Sequence, residues 1–305
     1  MTFRIEALEW LAQAIGSTPS RLHYQQLKGS TSSSVYLIQD TRDDKPQRFV
    51  LRVPENQEWL ADEPDLIVHE AAVLVETQRA GLCAPELIAF AAHDVGFGAP
   101  VLLMSFMEGH IDLRPRDFPA WIDNLAQELA VIHRHTAPSF GWHYRSWVDK
   151  TALAVPVWTT IPHVWERAIH LVDAPPPPFQ PVFIHRDYHP MNVLWHDGLV
   201  TGVVDWINAC QGPAGVDVAH CRTNLMGMFG SAAADQFLAA YSKMADGFVY
   251  HPYWDLDSLL DMCIPEPTVY PPWLEFGLAH LTPTLLQQRA DAYLQQIING
   301  TDSYP

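Results

Sequence analysis

The stretch PVFIHRDYHPMNVLWHDGLVTGVVDW, residues 181–206, limits what the chain can fold into more than any other segment. A short apolar strand, Val182 to Ile184, delivers the polar triplet His185-Arg186-Asp187. Asp197-Gly198 then joins VLWH to LVTGVVD, and Asp-Gly between two apolar runs is the strongest short hairpin signal. With that pair as the turn, His196 pairs with Leu199 and Asn192 faces Val203. Asp205, two residues further on the same sheet face, becomes a diagonal neighbour of Asn192, with Cα atoms roughly 7–8 Å apart. Two oxygen-bearing side chains at that separation can share a hard cation such as Mg²⁺. Asp187, on the loop at the hairpin base, can accept a hydroxyl proton while the metal neutralises phosphate charge. That is the division of labour phosphoryl transfer needs.

The rest of the chain supplies a frame for such a loop. Before residue 107 the pattern is rich in strands: LKGSTSSSVYLIQD around a small-residue turn, RFVLRV, PELIAFAAH and APVLLMSFM. Residues 4–15 place Ile5, Leu8, Leu11 and Ile15 at helical spacing, and residues 64–80 read as a helix stopped at Gly81. After Gly109 the pattern is mainly helical. Phe118 to His133 puts Trp121, Leu125, Leu129 and Ile132 on one face, and residues 231–245 and 273–298 are read as two further helices. Pro175 to Pro178 reads as a rigid connector. His133 closes an apolar face and reads as a satisfied core histidine.

With 305 residues the chain can bury a large core and form two lobes. Its formal net charge of −17, with no basic run, argues against nucleic acid and anionic membrane as partners. Four cysteines without a CxxC spacing fit reduced thiols, and no 18-residue apolar span or signal peptide is evident. A cytoplasmic protein, monomer or homodimer, is expected.

HxDxxxxN, followed by an aspartate eighteen residues after Asp187, resembles the catalytic-loop and magnesium motifs of the kinase-like superfamily. The wording HRDYHPMNVLW, VVDW and GVDVAH is similar to the aminoglycoside phosphotransferase and choline kinase-like family, over nearly the whole chain. The resemblance implies an α+β, bilobal protein-kinase-like fold: a nucleotide-binding lobe at 1–107 and a catalytic and acceptor-binding lobe at 108–305. It implies ATP (or GTP) and Mg²⁺ as cofactors, and a small-molecule acceptor with a hydroxyl: aminoglycoside-, macrolide-, choline- or sugar-like. Asp187 is then the catalytic residue, and Asn192 and Asp205 are the metal ligands. His185 braces the loop without a proton-transfer role. Asp217 either caps a helix ahead of AHCRTNLM or braces the catalytic loop, and the two readings are compatible.

In the first lobe, period-2 alternation puts Val50 and Arg52 on one face of RFVLRV. Arg52 occupies the place of the lysine that kinases use to hold the α/β-phosphates, Val50 lines the adenine pocket, and Glu70 is the ion-pair partner. Arginine instead of lysine is a departure that its fork of donors can serve; the plainer alternative is an exposed strand arginine. The loop Gly29 to Ser34 has one glycine, but Ser30, Thr31 and Ser32 can offer N–H and O–H groups to phosphates. MSFMEG, residues 104–109, resembles the hinge, so Ser105 and Met107 are expected to meet adenine.

Against a protein kinase stand the missing triple-glycine loop, Asp-Trp-Ile instead of Asp-Phe-Gly, and only ten residues between Trp206 and Asp217. A nucleotide-binding pseudokinase would be favoured by loss of Asp187, Asn192 or Asp205, and all three are present. For the acceptor, residues 252–267 carry Asp255, Asp257, Asp261 and Glu266 without Lys or Arg, beside Tyr253 and Trp254. On a helix, Asp257 and Asp261 share a face and can seat a cation with help from the rings. The plainer alternative is a solvated acidic helix with its aromatics in the core.

Overall fold

The computed structural model describes residues 3–27, 33–42 and 45–301. The chain divides into two compact units, Met1–Glu108 with Gly202–Asn208, and Gly109–Thr201 with Ala209–Pro305.

The smaller unit is built on strands β1 (Leu22–Gln26), β2 (Ser33–Asp40), β3 (Gln47–Pro54), β4 (Leu87–Ala91) and β5 (Val101–Ser105). They form one antiparallel sheet in the order β1-β2-β3-β5-β4. Alternation along β3 decides its layers. Leu51 and Val53 enter a core with Ile38, Val101 and Leu103, covered by Ala7, Leu11 and Ala12 of α1 (Ile5–Ala14). Arg52 points the opposite way, where α3 (Leu66–Ala80) brings Glu70 to meet it; a short α2 (Gln57–Asp62) precedes α3. Of the four residues expected on the buried face of α1, Leu8, Leu11 and Ile15 pack on this core, whereas Ile5 is 58% exposed and Ala7 and Ala12 are buried in its place.

The larger unit is mostly helical: α4 (Phe118–His133), α5 (Pro162–Asp173), α6 (Ala214–Phe229), α7 (Ser231–Met244), α8 (Tyr253–Cys263), α9 (Pro271–Glu275) and α10 (Pro283–Thr301). Strand β6 (Pro181–Ile184) pairs antiparallel with β9 (Cys210–Pro213), and β7 (Val193–His196) pairs with β8 (Leu199–Val203). Asp197 and Gly198 both take positive φ, 50° and 78°, as a type I′ hairpin requires. Trp121, Leu125, Leu129 and Ile132 of α4 are all buried. A second core joins Trp165 of α5, Leu256, Leu259 and Leu260 of α8, and Tyr293 and Leu294 of α10. Helices α6 and α8 meet at Gly215, where a Cβ would lie 2.3 Å from the Trp254 ring. Gly215 lies in the first turn of α6, and the Trp254 contact is what it makes room for.

Residues 273–298 are not one helix. The chain leaves α9 at Phe276, passes Gly277 at φ 104°, and restarts at Pro283, where Thr282 Oγ1 accepts the Leu285 N–H at 3.2 Å. Proline at the first helical position is a start signal, because its missing N–H has no intrahelical partner to lose.

Candidate active site

The loop expected to be catalytic leaves β6 at Ile184 and is fixed from below by one carboxylate. Asp217 is fully buried; its Oδ2 accepts the His185 N–H at 2.7 Å and its Oδ1 the Arg186 N–H at 2.6 Å. His133 Nε2 lies 3.0 Å from Asp217 Oδ2, and His133 Nδ1 lies 2.6 Å from the Tyr241 hydroxyl. The loop is thereby tied to α6, α4 and α7. Asp217 sits inside the first turn of α6, with Pro213 at the N-cap position, so the helix-cap reading fails and the carboxylate acts on the loop instead. Arg186 holds φ 71°, a region that costs a side-chain-bearing residue about 1–2 kcal/mol. The charge-assisted bond from its N–H to Asp217 offsets that strain.

Asp187 follows, partly exposed at the end of this brace. Its Oδ1 lies 3.0 Å from His220 Nε2 and 3.5 Å from His189 Nε2. Asn192 Nδ2 donates to Asp187 Oδ2 at 3.2 Å and to its carbonyl at 2.9 Å, which leaves the amide oxygen for another partner. Burial works to raise the Asp187 pKa, but His189, His220 and His185 outweigh it and hold the carboxylate below its ordinary range. His220 is pushed the other way: burial lowers its pKa, and Asp187 overcomes this to leave it raised. His185 is fully buried, accepts the Asp187 N–H on Nδ1 at 3.3 Å, and packs edge-on against Tyr188.

Sequence reasoning passed over His189 and His220. His220 lies three residues after Asp217 on α6, on the same helix face, so placing Asp217 under the loop is the signal that would have found it. The strand pairing expected to carry Asn192 and Asp205 stops short of both. β7 begins at Val193 and β8 ends at Val203, so neither residue is in the ladder; Asn192 ends a 3₁₀ turn and Asp205 turns through φ 67°.

In the smaller unit Arg52 is buried at 5% exposure, which overturns the exposed-strand alternative. Its Nε lies 3.1 Å from Glu70 Oε1, and its Nη2 donates to Asp205 Oδ1 at 2.8 Å. Burial works to lower the Arg52 pKa, yet Asp205 and Glu70 together leave it raised. Burial pushes Glu70 up to about 7 against the pull of Arg52, and among the described residues Glu70 Oε2 has no hydrogen-bond partner. Val50 pairs with Leu37 and Met104 in mid-sheet. Ser105 spends its N–H on the Glu86 carbonyl and accepts the Glu86 N–H on Oγ, both at 2.8 Å. The Met107 side chain lies over Gly202, where a Cβ would meet it at 2.6 Å. Ser30, Thr31 and Ser32 fall outside the described residues.

On the other side of His220 lies a chamber of about 30 Å³, lined by Tyr144, Trp147, Arg186, Trp254, Asp257 and Asp261 among others. The Arg186 guanidinium is 3.8 Å from the Trp147 ring centroid and 5.4 Å from that of Tyr144. Asp257 is 7% exposed; its Oδ2 accepts from the Tyr144 hydroxyl at 3.4 Å, and among the described residues its Oδ1 is buried without a hydrogen-bond partner. The acidic segment is helical as α8, but not a solvated face. Asp255 is buried against Arg222 at 2.9 Å, and Tyr250 and Tyr293 donate to it, so it is structural. Tyr253 and Trp254 are core residues, and Tyr253 already faces Lys150, with Nζ 5.8 Å from its ring centroid. Asp261 and Glu266 are exposed.

Asp217→Asn tests the brace. One charged acceptor becomes an amide that must present N–H to N–H, so the larger unit should lose about 2–3 kcal/mol in urea unfolding. A loss under about 0.5 kcal/mol would mean the loop holds its shape without Asp217.

Residues 23–255 match the family model for the phosphotransferase enzyme family. No curated protein matches the sequence. Solved structures with the same fold include a protein from Ralstonia eutropha JMP134 that carries the provisional name aminoglycoside phosphotransferase. It is 15% identical, covers 99% of both chains and has a TM-score of 0.66. A macrolide 2′-phosphotransferase from Brachybacterium faecium is 17% identical over 95% of this chain and 98% of its own, at a TM-score of 0.60. A thermostable aminoglycoside phosphotransferase mutant, in ternary complex with ADP and hygromycin B, is 18% identical over 95% and 98%, at 0.59. The kinase-like α+β fold is shared with all three, and the family model spans well over half of the sequence. The chain belongs to the phosphotransferase enzyme family.

Proposed function

We propose that this phosphotransferase moves the γ-phosphoryl group of ATP onto a hydroxyl of an amine-bearing small molecule, with Asp187 as base. The observation that carries the reading is the Asp187 carboxylate: braced through the loop by Asp217, kept ionised by imidazoles, and linked through His220 to a chamber holding Asp257 and Asp261. In the step, the acceptor oxygen bonds to the γ-phosphorus as the bridging P–O bond to ADP breaks. The hydroxyl proton passes to Asp187.

Asn192, whose donors are spent on Asp187, and Asp205, whose Oδ1 is held by Arg52, each keep a hard oxygen of the kind Mg²⁺ takes. Mg²⁺, when bound, neutralises phosphate charge. Arg52 is the cation assigned to the α/β-phosphates, held by Glu70. Val50, Ser105 and Met107 are assigned to adenine, and Ser30, Thr31 and Ser32 to phosphate; GTP in place of ATP fits the same roles. Asp257 with Asp261 seats the acceptor amine. Among the described residues no helix is long and apolar enough to cross a membrane. A cytoplasmic enzyme, monomer or homodimer, acting without nucleic acid or membrane, completes the reading.

ADP release measured across amino alcohols, sugars, aminoglycosides and macrolides tests it, with ³¹P NMR to identify the product ester. Turnover is expected with amine-bearing acceptors. Nucleotide binding without turnover on any of them would reduce the protein to a binding module.

The amine site has its own pH signature. Burial, and then the neighbouring Asp261, push Asp257 up to about 6 against the pull of Lys150, Tyr144 and Ser146. A protonated amine pairs with the ionised form, so KM for the acceptor should rise about tenfold as pH falls from 7 to 5. The kcat should hold over that range, because Asp187 stays ionised. A flat KM with a falling kcat would remove Asp257 from acceptor binding.

A further inference from the structure

The chamber beside His220 does not end at Asp261. Trp147, Val148 and Asp261 also border an open groove of about 410 Å³, shaped by Leu153, Leu260, Ile264 and the Val155–Val157 stretch. Its surface is mainly apolar. Trp147 is 46% exposed, Val155 36%, and Val157 wholly exposed. Single exposed apolar residues are ordinary, but these line one groove that shares Trp147, Val148 and Asp261 with the chamber. Continuity with the chamber identifies the occupant as something that enters both.

The chamber end states what that molecule must carry. Among the described residues Asp257 Oδ1 is buried without a hydrogen-bond partner, and a buried carboxylate oxygen left that way is costly. It needs a donor. A protonated primary, secondary or tertiary amine brings an N–H; a quaternary ammonium does not. The groove end needs apolar surface, since a wholly polar polyamine sugar would leave the walls formed by Val155, Val157 and Ile264 as wet as before.

Resting on the assignment of phosphotransfer to Asp187, we infer that the acceptor is an amphiphilic amino alcohol. Its N–H-bearing amine sits on Asp257, its hydroxyl lies toward Asp187, and its apolar body lies along the groove from Trp147 to Val157.

The probe is a series of 2-amino-1-alkanols with three, six and ten carbons, followed by ADP release and by calorimetric titration. KM should fall about 30–100-fold from the shortest to the longest, as methylene groups leave water along part of the groove. The N,N,N-trimethyl form of the longest should bind at least about tenfold more weakly, having lost its donor. In Val155→Asn/Val157→Asn, both at exposed positions, the gain with chain length should shrink about tenfold. Equal KM values along the series, with turnover intact, would overturn the amphiphile and leave phosphotransfer standing. An absence of turnover with every amine and every sugar tried would sink the phosphotransfer reading itself. Sedimentation showing a dimer that the double variant abolishes would hand the groove to a second copy of the chain and also overturn the inference.

Discussion

Asp187→Asn is expected to leave the fold and nucleotide affinity intact and to lower kcat by about 10²–10⁴, the usual worth of a positioned general base. The carboxamide fills the same space, and Asn192 Nδ2 and the imidazoles of His189 and His220 remain around it. What disappears is the charge that those imidazoles stabilise and that the departing hydroxyl proton would neutralise. Because Asp187 is held below the ordinary carboxylate range, no acid limb from this group should show in kcat above pH 5. Turnover near the wild-type value, with a matched acceptor and a homogeneous variant, would move the base elsewhere.

The second large effect belongs to Arg52. Arg52→Ala leaves Glu70, 1% exposed, with its charge uncompensated, and losing one partner of a buried pair costs about 3–5 kcal/mol. The loss should depend on pH with a definite sign. The folded-state pKa of Glu70 is raised, already to about 7 in the presence of Arg52, so the folded form binds the proton more tightly than the unfolded one. Stability of the variant therefore falls as pH rises through and above 7, and is partly recovered near pH 5. Urea unfolding at pH 5.5 and pH 8 reads this directly, and Glu70→Gln added to Arg52→Ala should abolish the difference. The same variant should weaken binding of an ATP analogue, and Arg52→Lys should restore part of both properties, since lysine supplies the charge without the fork. Unchanged nucleotide affinity in Arg52→Ala would make the Arg52–Glu70–Asp205 cluster purely structural.

The parts of this protein that could be read from sequence are those in which chemistry and local structure coincide in one stretch. The loop from His185 to Asn192 and the Asp197-Gly198 turn carry their own geometry, as do the alternation in β3 and the period of α4. Reasoning from a ladder failed at its ends, because Asn192 and Asp205 lie where strand pairing has stopped. The false single helix at residues 273–298 had its break written in Gly277 and Pro283; apolar periodicity on both sides hid it. His220 and Asp257 come to the site by tertiary packing of α6 and α8. Tyr144 and Trp147 arrive on a segment without periodicity, so no spacing rule reaches them. Tyr253 and Trp254 show the limit of composition: aromatic rings beside carboxylates are explained here by the core they fill.

Gly215 brings a different kind of control. It carries no atom that can touch an acceptor, yet it sets how near the helix with Asp257 can come to the helix with Asp217 and His220, because the Trp254 ring occupies the volume of its missing side chain. Any larger residue at that position must displace the Trp254 ring, which also lines the chamber. The chamber would change shape with Asp257, Asp261 and the 185–192 loop unchanged in sequence. On the proposed acceptor site, the fit of an acceptor is thus open to change through a remote spacer, while the Asp217 bonds to the 185–187 loop, on the far side of the same helix turn, stay where they are.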